Sequence, residues 1–226
     1  MKLIIGNKNY SSWSMRPWVL MKQLGIAFEE HQLWFDSFAD ESEFKQQVRA
    51  ISAAGTVPIL QDGTLLISDS LAIVEYLAET FPEKNLWPAN PAARARARSA
   101  CAEMHSGFDA LRSACPMNIE ADLSVQGAVI LRDKPQVNVN LKRITTLWSE
   151  FLGEHSGPFL FGDFTIADAY FAPVCMRIRS YGLPVPEVVS AYIARLSAAP
   201  GVKAWIDAAL LEKRFVAEDE PYRLSR

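Results

Sequence analysis

The chain has 226 residues, 50% of them hydrophobic, and a formal net charge of −3. This size and composition predict a folded globular protein with a substantial core, and they argue against a disordered chain or a general nucleic-acid-binding protein. No apolar run approaches the ~20 residues that cross a bilayer, so we expect no membrane partner.

The cysteines and histidines limit the chemistry further. Cys101, Cys115 and Cys175 show no CxxC spacing, which is typical of a protein from a reducing compartment. We therefore expect a cytoplasmic location. The histidines show no metal-ligand spacing among them, and the sequence predicts no metal site.

The first third of the chain has the pattern of a small α/β unit. Apolar runs and capping signals predict strands over residues 2–6 and 27–33, helices over 15–24 and 41–50, hairpin strands over 57–60 and 65–67, and a helix over 69–80. Periodicity alone gives only a mixed unit with the order βαβαββα. The Asp62-Gly63 step between two apolar runs is a strong hairpin signal, because glycine tolerates positive φ.

The residues around this hairpin carry the strongest functional signal. Pro58 opens the first hairpin strand, where it can donate no ladder hydrogen bond, which suggests a fixed turn and a cis Val57-Pro58 bond. After the second strand, Asp69 and Ser70 offer caps to the next helix. A carboxylate and a hydroxyl at a helix start, beside free backbone groups, suit a small peptide with an amine and carboxylates. An ordinary hairpin that leads into a capped helix is the alternative interpretation.

Beyond residue 81 the strand signals fade. Three prolines punctuate the next ten residues, and this predicts a linker over 82–91. The linker separates a first domain of residues 1–81 from a second domain of residues 92–226.

The second domain is expected to be all helical. Apolar periodicity predicts helices over residues 91–113, 136–154, 166–179, 186–198 and 201–211. Thr165-Ile166-Ala167-Asp168 has the form of a capping box, with aspartate in the usual position of glutamate or glutamine. This box also resembles a folding signature of a known protein family, and the resemblance implies that Asp168 is buried and holds the preceding loop, without a chemical role.

A serine-rich loop precedes the first helix. Pro17 is comfortable only in the first turn of a helix, so the helix is expected to begin between residues 13 and 16. Ser11 and Ser12 then lie just ahead of the positive end of the helix dipole, where a thiolate is stabilised by the dipole and by a hydroxyl donor. Simple capping is the alternative, and we expect it of Ser14. Since no histidine or acid has triad spacing, a serine hydrolase is disfavoured.

Together these motifs resemble the soluble glutathione S-transferases, and most closely zeta-like bacterial members with a Ser-Ser-Trp-Ser loop. The resemblance implies a thioredoxin-like N-terminal domain, an all-α C-terminal domain, glutathione as co-substrate and a homodimer. It implies that Val57, which precedes Pro58, pairs with the cysteinyl part of glutathione. It also implies that Asp69 and Ser70 hold the γ-glutamyl group.

The same resemblance implies the reaction. The first serine of the motif, Ser11, activates the glutathione sulfur, with Ser12 beside it, for attack on a small electrophile. Trp13 stands where the zeta class has a cysteine that assists isomerisation. The expected activity is therefore glutathione transfer. A zeta-type cis–trans isomerase, of the maleylacetoacetate isomerase kind, and a non-catalytic protein-interaction module with the same fold are the alternatives.

Two subsites stay open at the level of sequence. Candidates for the glycine carboxylate of glutathione are Trp34, Lys45 and His31. Candidates for the electrophile site are Trp13, Met104, His105, Phe108, Arg112 and Arg177. His105, alone on a largely apolar helix, is also typical of a packing residue. Arg177 and Arg179 are two positions apart on a helix, so at most one of them is expected to face the cleft.

Overall fold

A computed structural model describes residues Met1–Arg226. The first part contains β1 (Lys2–Ile5), α1 (Ser12–Gln23), β2 (Glu29–Gln32), α2 (Glu43–Ile51), β3 (Ile59–Asp62), β4 (Leu65–Ser68) and α3 (Ser70–Thr80). The sheet order is β2-β1-β3-β4; β1 and β2 are parallel, and the other neighbours are antiparallel. This arrangement confirms the thioredoxin-like fold expected for the first domain.

The remainder is helical, which confirms the fold class expected for the second domain. It contains α4 (Pro91–Ser106), α5 (Asp109–Ala114), α6 (Ser124–Asp133), α7 (Pro135–Glu154), α8 (Ile166–Ser180), α9 (Glu187–Ala198) and α10 (Pro200–Glu212). None of the helices combines the length and the apolar character that a membrane crossing requires.

Helix α8 lies at the centre of the molecule. Arg179 is its only residue that is not buried. One apolar core runs through both parts of the chain, because α1 packs against α8 and α10. Gly201 allows this close contact: a Cβ at this position would lie 2.8 Å from the carbonyl oxygen of Val19. The core therefore fixes α1, which starts at the serine loop, against α8.

The capping box at the start of α8 has the structural role that we expected. Asp168 is fully buried, and its carboxylate accepts hydrogen bonds from the backbone N–H groups of Leu160 (3.1 Å) and Thr165 (2.9 Å) and from Tyr192 Oη (3.0 Å). Burial raises the pKa of Asp168 to about 6 against the effect of these donors. The side chain ties the preceding loop and α9 to α8.

One helix prediction was wrong, and one helix was not predicted. The helix expected over 91–113 is broken after Ser106, because Phe108 adopts a left-handed backbone with φ of +59°. Arg112 Nη1 lies 3.1 Å from the carbonyl oxygen of Gly107 and so satisfies an acceptor that the break leaves free. Helix α6 was not expected at all. Its Val125 and Val129 are exposed, so its apolar residues show no clean periodicity.

Two boundaries also differ from expectation. Strand β3 begins after Pro58 and includes Asp62, which pairs with Leu65, so the turn lies one step later, at Gly63 with φ of +57°. Helix α1 begins at Ser12, which places Pro17 inside the helix rather than in its first turn. The proline has no N–H for the carbonyl of Trp13, and the packing of α1 outweighs that loss.

The C-terminal tail, residues 213–226, returns to the first domain. Val216 is buried beside Phe35 and Phe44 in the small apolar cluster on that side of the sheet. Tyr10 Oη donates to Glu220 Oε1 at 2.7 Å, and burial together with this contact raises the pKa of Tyr10. The tail consequently covers one side of the cleft between the two parts.

Candidate active site

The main candidate for a functional site is a pocket between the sheet and the helices. Its volume is about 530 Å³, within the ~300–1,000 Å³ range that is usual for small-molecule sites. The pocket brings together most of the residues that the sequence pointed to. Those that line it are Ser11, Ser12, Trp13, Lys45, Val57, Pro58, Asp69, Ser70, Arg112 and Arg177.

The hairpin and the start of α3 form one wall. The Val57–Pro58 peptide bond is cis, and the pairing of Ile59 with Ser68 brings this segment beside Asp69. Asp69 has a φ of +86°, and its Oδ1 caps α3 by accepting from the backbone N–H groups of Leu71 and Ala72. The Asp69 side chain is 47% exposed, so the cap leaves part of the carboxylate open to a ligand.

The serine loop forms the floor. Ser11 Oγ donates to Ser14 Oγ at 2.8 Å, and Ser14 Oγ in turn accepts from the backbone N–H of Gly6 at 3.2 Å. Ser14 is therefore not a helix cap; it holds the end of β1 against α1. Ser12 Oγ has a different partner, because it accepts from Arg177 Nη2 at 3.1 Å. Of the two serines that line the pocket, Ser12 is therefore the one whose proton is free for another acceptor.

Arg177 brings a buried positive charge to the pocket. Its guanidinium donates to the carbonyl oxygen of Cys115 at 2.6 Å and to Ser12, but it contacts no carboxylate, and its Nε has no partner. Burial lowers the pKa of Arg177 to about 10. A buried cation whose only partners are neutral is suited to stabilise an anion in the pocket.

Arg16, two residues beyond the Ser-Ser-Trp-Ser loop, is a second buried cation, and the site predictions did not include it. Its guanidinium carbon lies 4.1 Å from the ring centre of Trp13 and 4.0 Å from that of Tyr170. Arg16 Nη1 also approaches Ser70 Oγ at 3.4 Å. Burial lowers the pKa of Arg16 to about 10.

Four of the predicted site residues do not line the pocket. Met104 and Phe108 are 1% and 7% exposed because both pack into the apolar core. Trp34 lies outside the pocket, with Arg214 stacked 4.2 Å from its ring centre. His105 lies behind the wall, with its Nε2 3.2 Å from Asp69 Oδ2. His31, the other open candidate, is exposed on β2.

Other lining residues were missed by sequence reasoning. Phe35, Phe38 and Phe44 form an aromatic group at one end of the pocket, and no local signal distinguishes them from core residues. Asp219 arrives with the C-terminal tail; its Oδ2 has no hydrogen-bond partner, and burial raises its pKa to about 6. Only the fold of the tail reveals this residue.

Comparison with known proteins agrees with this geometry. The family model of the glutathione S-transferase N-terminal domain matches residues 10–80, and that of the C-terminal domain matches residues 91–208. The chain belongs to the glutathione S-transferase family.

Individual relatives differ in what their names describe. A probable maleylacetoacetate isomerase of Caenorhabditis elegans is 30% identical over 185 residues, which are 78% of this chain and 79% of the relative. A stringent starvation protein A homolog of Pasteurella multocida is 24% identical over 182 residues, or 79% of this chain and 77% of the relative. A glutathione transferase homolog from Burkholderia gl BGR1, solved with bound glutathione, is 26% identical, with a TM-score of 0.67 and 92% and 97% of the two chains covered.

Proposed function

We propose that this glutathione transferase binds glutathione along Val57, Asp69 and Ser70 and activates its thiol at Ser12 for attack on a small electrophile. The observation that carries the proposal is the contact between Ser12 and Arg177 at the start of α1, in the same pocket as the hairpin and the start of α3. The Burkholderia relative with bound glutathione supports the choice of co-substrate.

Glutathione has three groups to hold. In our proposal the backbone of Val57 pairs with its cysteinyl part, and Asp69 and Ser70 take the γ-glutamyl end. Lys45 is the best candidate for the glycine carboxylate, because it lines the pocket while Trp34 and His31 do not. Its Nζ donates to the carbonyl oxygen of Gly55 at 3.1 Å and keeps further protons for a carboxylate.

Ser12 suits the thiolate better than Ser11 does. The Ser11 proton is engaged by Ser14, whereas Ser12 accepts from Arg177 and can donate its own proton to sulfur. A hydroxyl that accepts from a guanidinium is polarised and becomes a stronger donor. The N-terminus of α1, which begins at Ser12, adds its dipole.

The groups around Ser12 supply a free energy of the size needed to lower the thiol pKa. A free thiol with a pKa of ~8.5 is only about 3% ionised at neutral pH, and lowering that pKa to ~6.5 needs ~2.7 kcal/mol. One charge-assisted hydrogen bond and a helix end together supply a value of this order. Because the thiolate is the nucleophile, this shift accounts for most of the proposed catalysis.

Single replacements Ser12→Ala and Ser11→Ala test the assignment. We expect Ser12→Ala to lose the ultraviolet absorbance of bound thiolate at neutral pH and about thirtyfold in kcat/KM with chlorodinitrobenzene, with recovery at alkaline pH where the thiol ionises unaided. Ser11→Ala is the matched control and retains the thiolate. The opposite ranking would move the role to Ser11, and a full thiolate signal in both variants would exclude either hydroxyl as the activator.

The electrophile side of the proposal uses the cations and Trp13. Arg112 and Arg177 line the pocket, and Arg112 lies 5.0 Å from the ring centre of Trp13, so an electrophile with a carboxylate and an apolar part fits this side. The Caenorhabditis elegans relative makes a glutathione-dependent isomerase the second candidate function. Assays of conjugation and of maleylacetoacetate isomerisation, with the wild type and with Trp13→Cys, separate the two.

The proposal extends to organisation. Residues 1–81 bind glutathione, residues 82–91 are the linker, and residues 92–226 contribute the electrophile site. We infer a homodimer from the family resemblance. We infer a cytoplasmic location from the three buried free cysteines. Light scattering measures the dimer, and cell fractionation measures the location. A chain that is not retained on glutathione-agarose would instead support a non-catalytic protein-interaction module.

A further inference from the structure

Five side chains from both parts of the chain form a continuous series of polar contacts behind the proposed γ-glutamyl wall, three of them hydrogen bonds and the last an ion-pair contact. Arg16 Nη1 lies 3.4 Å from Ser70 Oγ, and Ser70 Oγ lies 3.2 Å from Tyr170 Oη. Tyr170 Oη is 2.6 Å from His105 Nδ1, and His105 Nε2 is 3.2 Å from Asp69 Oδ2. The chain thus begins at a guanidinium, ends at a carboxylate and passes through a histidine.

The two ends fix the direction of the chain when His105 is neutral. A guanidinium can only donate, and a carboxylate can only accept. With its single proton on Nε2 for Asp69, His105 accepts at Nδ1 from Tyr170. Tyr170 has no second proton, so the hydroxyl proton of Ser70 points to Tyr170. In this state Ser70 has no proton for a ligand.

Protonation of His105 reverses the middle of the chain. Both ring nitrogens are then donors, and Nδ1–H donates to Tyr170 Oη. The Tyr170 proton turns to Ser70 Oγ, and the Ser70 proton becomes free to point into the pocket. Tyr170 stays a neutral phenol throughout, since burial raises its pKa.

We propose that His105 is a positioning residue for glutathione, and that its protonation turns the Ser70 hydroxyl toward the γ-glutamyl carboxylate. The inference rests on the proposed placement of glutathione along Asp69 and Ser70. His105 does not line the pocket, so it acts through Tyr170 and Ser70. Only bonds to hydrogen change. One proton passes from solvent to His105 when the carboxylate binds to a molecule in which His105 was neutral.

The charged groups around His105 set the balance. Asp69, at the start of α3, favours the protonated ring. Arg112 of α5, with Nη1 3.5 Å from the His105 carbonyl oxygen, and Arg16 of α1, stacked on Tyr170, oppose protonation. Trp13 of α1 presents its ring at 5.2 Å without charge. Glu103 on α4 itself is held by Arg143 of α7 at 2.7 Å.

The γ-glutamyl group changes this balance at both ends of the chain. Its carboxylate, placed at Ser70, offsets the charge of Arg16 and so favours protonated His105. Its ammonium group, placed at Asp69, partly neutralises the carboxylate that favours protonated His105. Asp69 can serve both, because a carboxylate has about four acceptor sites and two backbone N–H groups and His105 occupy three of them.

Calorimetric titration of the full-length protein with S-methylglutathione tests the inference, because this ligand has no ionisable thiol. We expect the affinity of the wild type to fall about tenfold as the pH is raised from about 5.5 to about 8, the value of one strong hydrogen bond. Titrations in two buffers with different ionisation enthalpies should show uptake of a proton on binding near the middle of this range.

Two variants and one control complete the experiment. His105→Gln keeps a donor but cannot change charge, and Tyr170→Phe interrupts the relay while keeping the ring on Arg16; both are expected to remove the pH dependence and the proton uptake. His155→Gln is the control, because its ring packs against Phe161 and its Nε2 has no hydrogen-bond partner. We expect it to behave as the wild type.

The outcomes are distinguishable. A wild type that does not bind S-methylglutathione at any pH overturns the proposed function and this inference with it. A wild type that binds with an affinity independent of pH overturns the inference alone. A pH dependence that persists in Tyr170→Phe also overturns it, and this variant decides the matter if His105→Gln does not fold.

Discussion

Two helices of this protein have an aspartate at their N-terminal end, Asp69 just before α3 and Asp168 in the first turn of α8, and the comparison separates a structural cap from one that we propose to bind a ligand. Asp168 at α8 is fully buried, and its oxygens accept from the loop backbone, Thr165 and Tyr192. Asp69 at α3 is half exposed, lies in the pocket wall and holds a strained backbone with φ of +86°. Similar local chemistry therefore serves different ends.

The two carboxylates differ in how many of their hydrogen-bond acceptor sites remain free. A buried carboxylate stabilises a fold only when donors surround it, and Asp168 meets that condition. Asp69 keeps acceptor capacity and solvent access, and its conformation is one that side chains rarely adopt. Strain and unused acceptors, together in a pocket wall, indicate binding. Substitutions of the two aspartates test this contrast.

The largest change in the free energy of unfolding is expected for a substitution in α8. Replacing Asp168 by Ala leaves the N–H groups of Leu160 and Thr165 and the hydroxyl of Tyr192 without their acceptor inside the core. Unpaired buried donors cost about 1–3 kcal/mol each, so we expect a loss of about 4 kcal/mol in the free energy of unfolding. Urea unfolding measures it. Asp163→Ala, at an exposed position in the same loop, is the control and should change little. A loss below about 1 kcal/mol for Asp168→Ala would contradict the structural role.

At α3 the effect should appear in binding and not in stability. Asn caps helices as well as Asp, so Asp69→Asn should leave the free energy of unfolding within about 0.5 kcal/mol of the wild type. The variant loses the negative charge that we assign to the glutathione ammonium. A hydrogen bond to a charged group is worth about 1.5–3 kcal/mol, so glutathione affinity should fall about 10- to 100-fold. Calorimetric titration measures it, and an unchanged affinity would remove Asp69 from the binding wall.

Both aspartates could be found in the sequence because their signals are local. A capping box and an Asp-Ser step at a helix start are read from neighbouring residues, and so is the hairpin that leads to Asp69. The order of strands and helices in the first domain followed from the same kind of signal. The difference in burial between the two aspartates depends on contacts with distant segments. Asp168 was assigned a structural role from the family resemblance, and its three donors come from two other segments.

The rest of the site depends on contacts between distant segments. Arg16 stands in the serine motif, but its position between Trp13 and Tyr170 depends on how α1 packs against α8. Asp219 reaches the pocket only because Val216 anchors the tail in the first domain. The break before α5 similarly follows from a left-handed Phe108, which helical periodicity cannot reveal. Sequence patterns therefore located the pocket wall that we assign to glutathione better than the opposite wall.

The smallest expected effect is the sharpest test of strain at Asp69. Glycine adopts positive φ without the 1–3 kcal/mol that other residues incur, but it adds flexibility to the unfolded chain and weakens the cap by a few tenths of a kcal/mol. These contributions nearly cancel, so the free energy of unfolding of Asp69→Gly should lie within about 1 kcal/mol of the wild-type value, while glutathione affinity falls about as much as in Asp69→Asn. Asn85→Gly, at an exposed residue with φ of +49°, is the control for the backbone effect and should keep full affinity. A loss of several kcal/mol in Asp69→Gly would mean that Asp69, like Asp168, is held for the fold, and the contrast between the two helix starts would disappear.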